Sequence, residues 1–87
     1  MSYKLDITAK AQRDIDHFRK TRDKIILSKL MLLLSEIAID PYSGTGKPEA
    51  LKHELTGLWS RRINREHRIV YEVVKDVVVV YSLRGHY

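Results

Sequence analysis

The chain has 87 residues, 44% of them hydrophobic, with no cysteine and a formal net charge of +5 from 16 Lys and Arg against 11 Asp and Glu. That length suits a single domain over residues 1–87 and is too short for two. The lack of cysteine excludes a disulfide framework and a thiolate metal site, while the basic excess favours a polyanionic partner through long-range attraction.

The opening residues, MSYKLDITAKAQRDID, carry charge from Lys4 onward and so lack the apolar centre of a signal peptide. No run approaches the roughly 18 apolar residues of a membrane helix, so a soluble, unexported protein of the cytoplasm, with no membrane role, is expected. Within this segment YKLDIT alternates, with Tyr3, Leu5 and Ile7 on one side and Lys4 and Asp6 on the other, as in a half-buried strand. Thr8 can cap a helix that runs from Ala9 to about Arg22. Its apolar residues Ala11, Ile15 and Phe18 recur at spacings of four and three, and Lys10, Arg13, Asp14, Asp16 and Arg19 fill the remaining faces.

KTRD breaks that helix, and Asp23 can cap a second one extending to about Ile39. Ile26, Leu30, Leu33, Leu34 and Ile37 keep the helical period, while Met31 and Leu32 widen the stripe to most of the circumference. Such a helix needs cover on more than one side, so it should pack on a sheet and on its neighbour helix, at the centre of the core. DPYSGTGKPEA gathers both prolines and two of the four glycines and reads as a loop. After it come LKHEL, LWSRRIN, HRIVYEVV and DVVVVYSL, four strand-like runs separated by short connections that suit antiparallel hairpins. The expected fold class is α+β: a strand, two helices, then an antiparallel meander, with the helices on one face of a twisted sheet and the other face open to a ligand.

Residues 1–43 hold eight basic and six acidic side chains, and residues 44–87 hold eight and five, with Lys47, Lys52, Arg61, Arg62, Arg65 and Arg68 crowded together. An anion should settle on this second half. Strand alternation puts Trp59, Arg61 and Ile63 on one face of LWSRRIN and Ser60, Arg62 and Asn64 on the other, so Arg62 and Arg68 can face the same way. Two guanidiniums a strand spacing of roughly 5 Å apart repel unless an anion lies between them, and a phosphate fits their planar forks. Two solvated arginines, paired with Glu66 or Glu72, meet the same spacing.

Glu49 lies in the loop between Lys47 and Lys52. Most such glutamates are solvated, but one held beside an RNA 2′-hydroxyl can take its proton as a general base, provided that a second group protonates the departing 5′-oxygen. His86, at the end of the last strand, is the natural donor. The other histidines, His17, His53 and His67, read as plain surface residues. No pair of them has metal-ligand spacing backed by a carboxylate, and GTGKPEA lacks the spacing of a nucleotide phosphate loop.

The stretch PYSGTGKPEALKHELTGLWSRRINREHRIVYEV, together with the terminal HY, resembles the YoeB/Txe toxins of the RelE-like superfamily. The likeness covers Pro41 to Tyr87 almost continuously, through the ordered blocks G-K-P-E, L-K-H, W-S-R-R-I, E-H-R-x-V-Y and H-Y, whereas the N-terminal half agrees only in its order of elements. The resemblance implies a microbial-ribonuclease-like fold and an mRNA endoribonuclease working on the translating 70S ribosome without cofactor or metal. It implies a cognate antitoxin of the YefM/Axe kind and admits a homodimer. By the same likeness Glu49 is the general base, His86 the general acid, and Arg68 the residue that stabilises the pentacovalent phosphate. Lys52, Arg62 and Tyr87 are then substrate-binding. A module of the same fold that binds RNA or protein without cutting is the alternative.

Overall fold

Thr8 ends one element and begins the next. Its hydroxyl accepts from the Ala11 amide at 3.2 Å and donates to the Val80 carbonyl at 2.8 Å, so the cap of the first helix is also stitched to the last strand. The computed structural model describes residues 2–85. In it β1 (Lys4–Ile7) leads into α1 (Ala9–Lys20) and α2 (Lys24–Ile39), followed by β2 (Glu49–Ala50), a 3-10 turn (His53–Leu55), β3 (Leu58–Arg62), β4 (Arg68–Val74) and β5 (Val77–Ser82). His86 and Tyr87, both expected at the site, lie outside the described residues.

The five strands form one sheet in the order β1-β5-β4-β3-β2, with β1 parallel to β5 and every other pairing antiparallel. Its inner face supplies Ile69, Tyr71, Val78 and Val80 to a core closed by Ala11 and Phe18 of α1 and by Leu30, Leu33 and Ile37 of α2. Burying each such aliphatic side chain stabilises the fold by about 1.5–3 kcal/mol before chain entropy is set against it. This is the α+β architecture expected, with the helices on one face.

Four local features differ from expectation. LKHEL is not a strand: His53 takes a left-handed φ of 59° and the backbone closes a 3-10 turn. The edge strand falls earlier, at Glu49–Ala50, inside the segment read as loop, because the β3 edge still offers unpaired backbone groups there. α2 packs on α1 and on the sheet as expected, but its outer face stays uncovered among the described residues, with Ile25, Met31 and Ile39 84%, 69% and 70% exposed. Asp14, expected on the polar face of α1, is 4% exposed.

The burial of Asp14 has a local cause. Val70 pairs with Ser82 while Tyr71 pairs with Val80, so Tyr81 is an extra residue and β5 bulges there. Beyond the bulge Leu83 turns into the core, away from the strand ladder, and its buried amide needs an acceptor. Asp14 Oδ2 supplies one at 2.9 Å, and Lys10 balances its charge at 2.6 Å.

Candidate active site

Arg61 and Arg62 are neighbours in sequence, but the pleat sends them to opposite sides of β3. Arg61 is fully buried, donating through Nη2 to the carbonyls of Ser43 at 2.8 Å and Asp40 at 3.3 Å. Its Nη1 lies 3.8 Å from Glu36 Oε1, and neither Nε nor Nη1 makes a hydrogen bond among the described residues. Arg61 is therefore committed to holding the 40–46 loop, and it leaves the cationic patch to which its position in the sequence had assigned it.

Other bonds fix the same loop. The Tyr71 hydroxyl donates to the Pro41 carbonyl at 2.5 Å, and burial pushes that phenol above its usual range. The Thr45 amide donates to Glu36 at 2.8 Å and, ahead of Arg61, holds the Glu36 carboxyl below its ordinary value. Asp40 is lowered in the same way by the Ser43 hydroxyl and then by the Tyr42 amide. At the loop's far end the Gly46 carbonyl accepts from the Arg62 amide at 2.7 Å. Gly46 has a φ of 88°, and a Cβ there would come within 2.5 Å of the Arg62 carbonyl oxygen. So pinned, the chain enters β2 with Glu49 directly opposite Ser60.

On the open face these anchors build a polar row across three strands. Arg68 at the start of β4 donates through Nη2 to Glu49 Oε1 at 2.7 Å and through Nε to Ser60 Oγ at 2.6 Å. The Ser60 residue is fully buried, whereas the Glu49 side chain is 58% exposed. One end of the guanidinium is thus fixed by a buried hydroxyl and the other by a carboxylate that solvent or substrate can reach. Arg68 Nη1 and Glu49 Oε2 have no hydrogen-bond partner among the described residues.

Arg62 is exposed and stands opposite Arg68 in the β3–β4 register. Among the described residues its side chain has no ion-pair partner, so the second guanidinium stays available to an anion on this face. The alternative pairings do not form: Glu72 accepts from the Tyr81 hydroxyl at 2.7 Å, holding that phenol above its usual range, and Glu66 lies 3.8 Å from His67 Nε2. Lys52 is exposed and begins the 3-10 turn two residues past β2, and among the described residues it makes no hydrogen bond or ion pair with Glu49 or Arg68. Among the described residues no group of three His, Asp or Glu could hold a metal ion.

Gly85, beyond β5, returns to this row. The Arg68 amide donates to the Gly85 carbonyl at 3.1 Å, and the Gly85 amide donates to His67 Nδ1 at 2.8 Å. Gly85 takes a φ of 83°, which L side chains rarely adopt. Sequence reasoning missed both Ser60 and His67. Ser60 carried no signal beyond its alternation with Arg62. His67 had one, its place beside Arg68, but was read as surface because its partner is 18 residues away. His86 is joined directly to Gly85.

A family model described as a YoeB-like toxin of bacterial type II toxin-antitoxin systems matches residues 7–87, well beyond the C-terminal stretch that carries the motifs. A Toxin YoeB from Synechocystis is 51% identical over 65 residues, covering 75% of this chain and 76% of that one. Among solved structures, a YoeB dimer from Staphylococcus aureus superposes with a TM-score of 0.87 at 38% identity over 100% of both chains. A heterotetrameric YoeB–YefM toxin–antitoxin complex from the same species gives 0.85 at 38% identity, again over 100% of each chain.

Proposed function

The chain belongs to the YoeB-like toxins of bacterial type II toxin–antitoxin systems, and from that premise we propose that it is a metal-independent endoribonuclease that cuts messenger RNA on the ribosome. The observation that carries the proposal is the Arg68 guanidinium fixed between Ser60 and Glu49, with Arg68 Nη1 and Glu49 Oε2 unpartnered among the described residues. A base and a phosphate-binding cation are thereby held within one hydrogen bond of each other.

In the proposed reaction Glu49 Oε2 takes the proton of a 2′-hydroxyl, and that oxygen attacks the adjacent phosphorus. Arg68 and Arg62 bear the charge that accumulates on the phosphorane oxygens. His86 protonates the departing 5′-oxygen as the P–O bond breaks. The products are a 2′,3′-cyclic phosphate and a 5′-hydroxyl. Tyr87 and Lys52 serve as substrate contacts. Restraint comes from an antitoxin, as in the staphylococcal YoeB–YefM complex, and self-association follows the staphylococcal dimer. The site of action is the cytoplasm, where translating ribosomes are.

The test is to incubate the protein with translating ribosomes in the presence of chelator and to map the cut ends. Cyclic-phosphate ends are expected, with cleavage abolished in Glu49→Gln and His86→Ala. Ends carrying a 3′-hydroxyl, or full toxicity in His86→Ala, would contradict the mechanism and favour a module that binds without cutting.

A further inference from the structure

We infer that His67 is a positioning residue: its Nδ1 fixes the amide of Gly85, the residue to which the proposed acid His86 is joined in the chain. For its catalytic consequence this rests on the nuclease reading given above.

The ring is held at two points. Its Nδ1 accepts from the Gly85 amide at 2.8 Å. Phe18 of α1 meets it edge-on with ring centroids 5.1 Å apart, and only 14% of the side chain is exposed. The backbone of His67 is fixed as well: its amide donates to Asn64 Oδ1 at 2.8 Å, and its carbonyl accepts from Ile63 at 2.9 Å.

Gly85 is gripped twice, once by the His67 ring and once by the Arg68 amide. The two grips come from consecutive residues, one of which also carries the phosphate-binding guanidinium. A chain end normally frays unless it is tied down. Here the tie joins Gly85 to the start of β4, so Gly85 and Arg68 share one reference point. A proton donor must lie within hydrogen-bond reach of the leaving oxygen, and a misplacement of about 1 Å can cost on the order of a hundredfold in rate. Losing the Nδ1 acceptor should therefore slow the chemical step while leaving Arg68, Arg62 and substrate affinity intact.

Two variants of the full chain separate the acceptor from the ring. His67→Phe keeps the packing on Phe18 and has no acceptor, whereas His67→Asn loses the packing and keeps an oxygen the same number of bonds from the backbone. Two measurements are made on each: hydrogen exchange of the Gly85 amide by NMR, and single-turnover cleavage of ribosome-bound message with ribosome affinity determined alongside. Expected for His67→Phe are loss of Gly85 protection and a cleavage rate down about 10–100-fold, with affinity within twofold of wild type. His67→Asn should recover part of both. Glu49→Gln serves as the control that stops cleavage without touching Gly85 protection. The inference is overturned if Gly85 stays protected in His67→Phe, or if protection is lost and cleavage is not. A wild-type protein that cleaves nothing refutes the nuclease reading instead, and the Gly85 amide then decides the tether alone.

Discussion

Replacing Arg68 by lysine keeps the positive charge and removes the fork. A single ammonium cannot bond Ser60 and Glu49 at the two positions now taken by Nε and Nη2 while presenting a further nitrogen to a phosphate. The structural loss is small. The carboxylate of the ion pair is 58% exposed, so the pair contributes at most about 1 kcal/mol, and the buried Ser60 hydroxyl forfeits one hydrogen bond of about 1 kcal/mol. The catalytic loss is larger: a misplaced transition-state donor costs on the order of 100- to 1,000-fold, or about 2.7–4 kcal/mol. Arg68→Lys should therefore melt no more than about 10–15 °C below wild type and remain folded at assay temperature, yet cut ribosome-bound message at least a hundredfold more slowly. Thermal denaturation and single-turnover primer extension on the same preparation measure the two quantities. Cleavage within about threefold of wild type would show that charge alone suffices, and the argument from the fixed fork would fail.

The neighbouring arginines should divide the other way. Arg61→Ala removes the anchor of the 40–46 loop and leaves a buried gap, with a loss of about 2–4 kcal/mol in denaturant unfolding, whereas Arg62→Ala should stay within about 0.5 kcal/mol of wild type and lose cleavage rate. Gly46→Ala combines a left-handed φ with a clash against the Arg62 carbonyl; it should destabilise the protein by more than the roughly 1 kcal/mol of the backbone term alone, read by the same unfolding curve. Acid should loosen this loop before the core. Glu36 and Asp40 have folded values lowered from 4.5 and 3.8, so their contribution is present at neutral pH and is lost as pH falls through those lowered values. Trp59, which packs edge-on against Tyr42 of the loop at 5.1 Å, reports the change by fluorescence, and Glu36→Gln should flatten the acid limb.

The sequence was most legible where a residue's neighbours in the chain decide its environment. Thr8 and Asp23 cap the two helices as their spacing suggests, because a cap acts on an amide three residues away. The alternation in β3 and β4 predicted which side of the sheet each residue faces, since the pleat fixes that without reference to the rest of the fold. Legibility failed where the deciding partner is remote. Asp14 looks like a surface residue until Leu83, 69 residues on, presents a buried amide. LKHEL alternates like a strand, but nothing local shows that His53 adopts a left-handed φ, so the β2 edge was placed too late. The width of the α2 apolar stripe was read correctly; what covers it is not set by the helix itself.

The site shows the same division, and physically it is the more instructive case. Arg62 and Arg68 are visible as a cationic pair because strand spacing is a local rule, but spacing says nothing about which guanidinium is free. Buried Ser60 turns one face of Arg68 into a fixed edge, and Glu49 is close enough to matter only because Arg61, Tyr71 and Gly46 press a glycine-rich loop onto β3. Apart from the Tyr71 hydroxyl, the apolar core makes none of these contacts. It supplies a rigid sheet, and a second set of buried and part-buried hydrogen bonds then brings an edge residue and Gly85 to a single arginine. Such bonds are sparse, and leaving one unmade in the interior is costly. Each therefore constrains geometry far more than its net contribution to stability suggests, and the placement of Glu49 should be more sensitive to Arg61 and Gly46, which the proposed reaction does not use, than to any single core aliphatic residue.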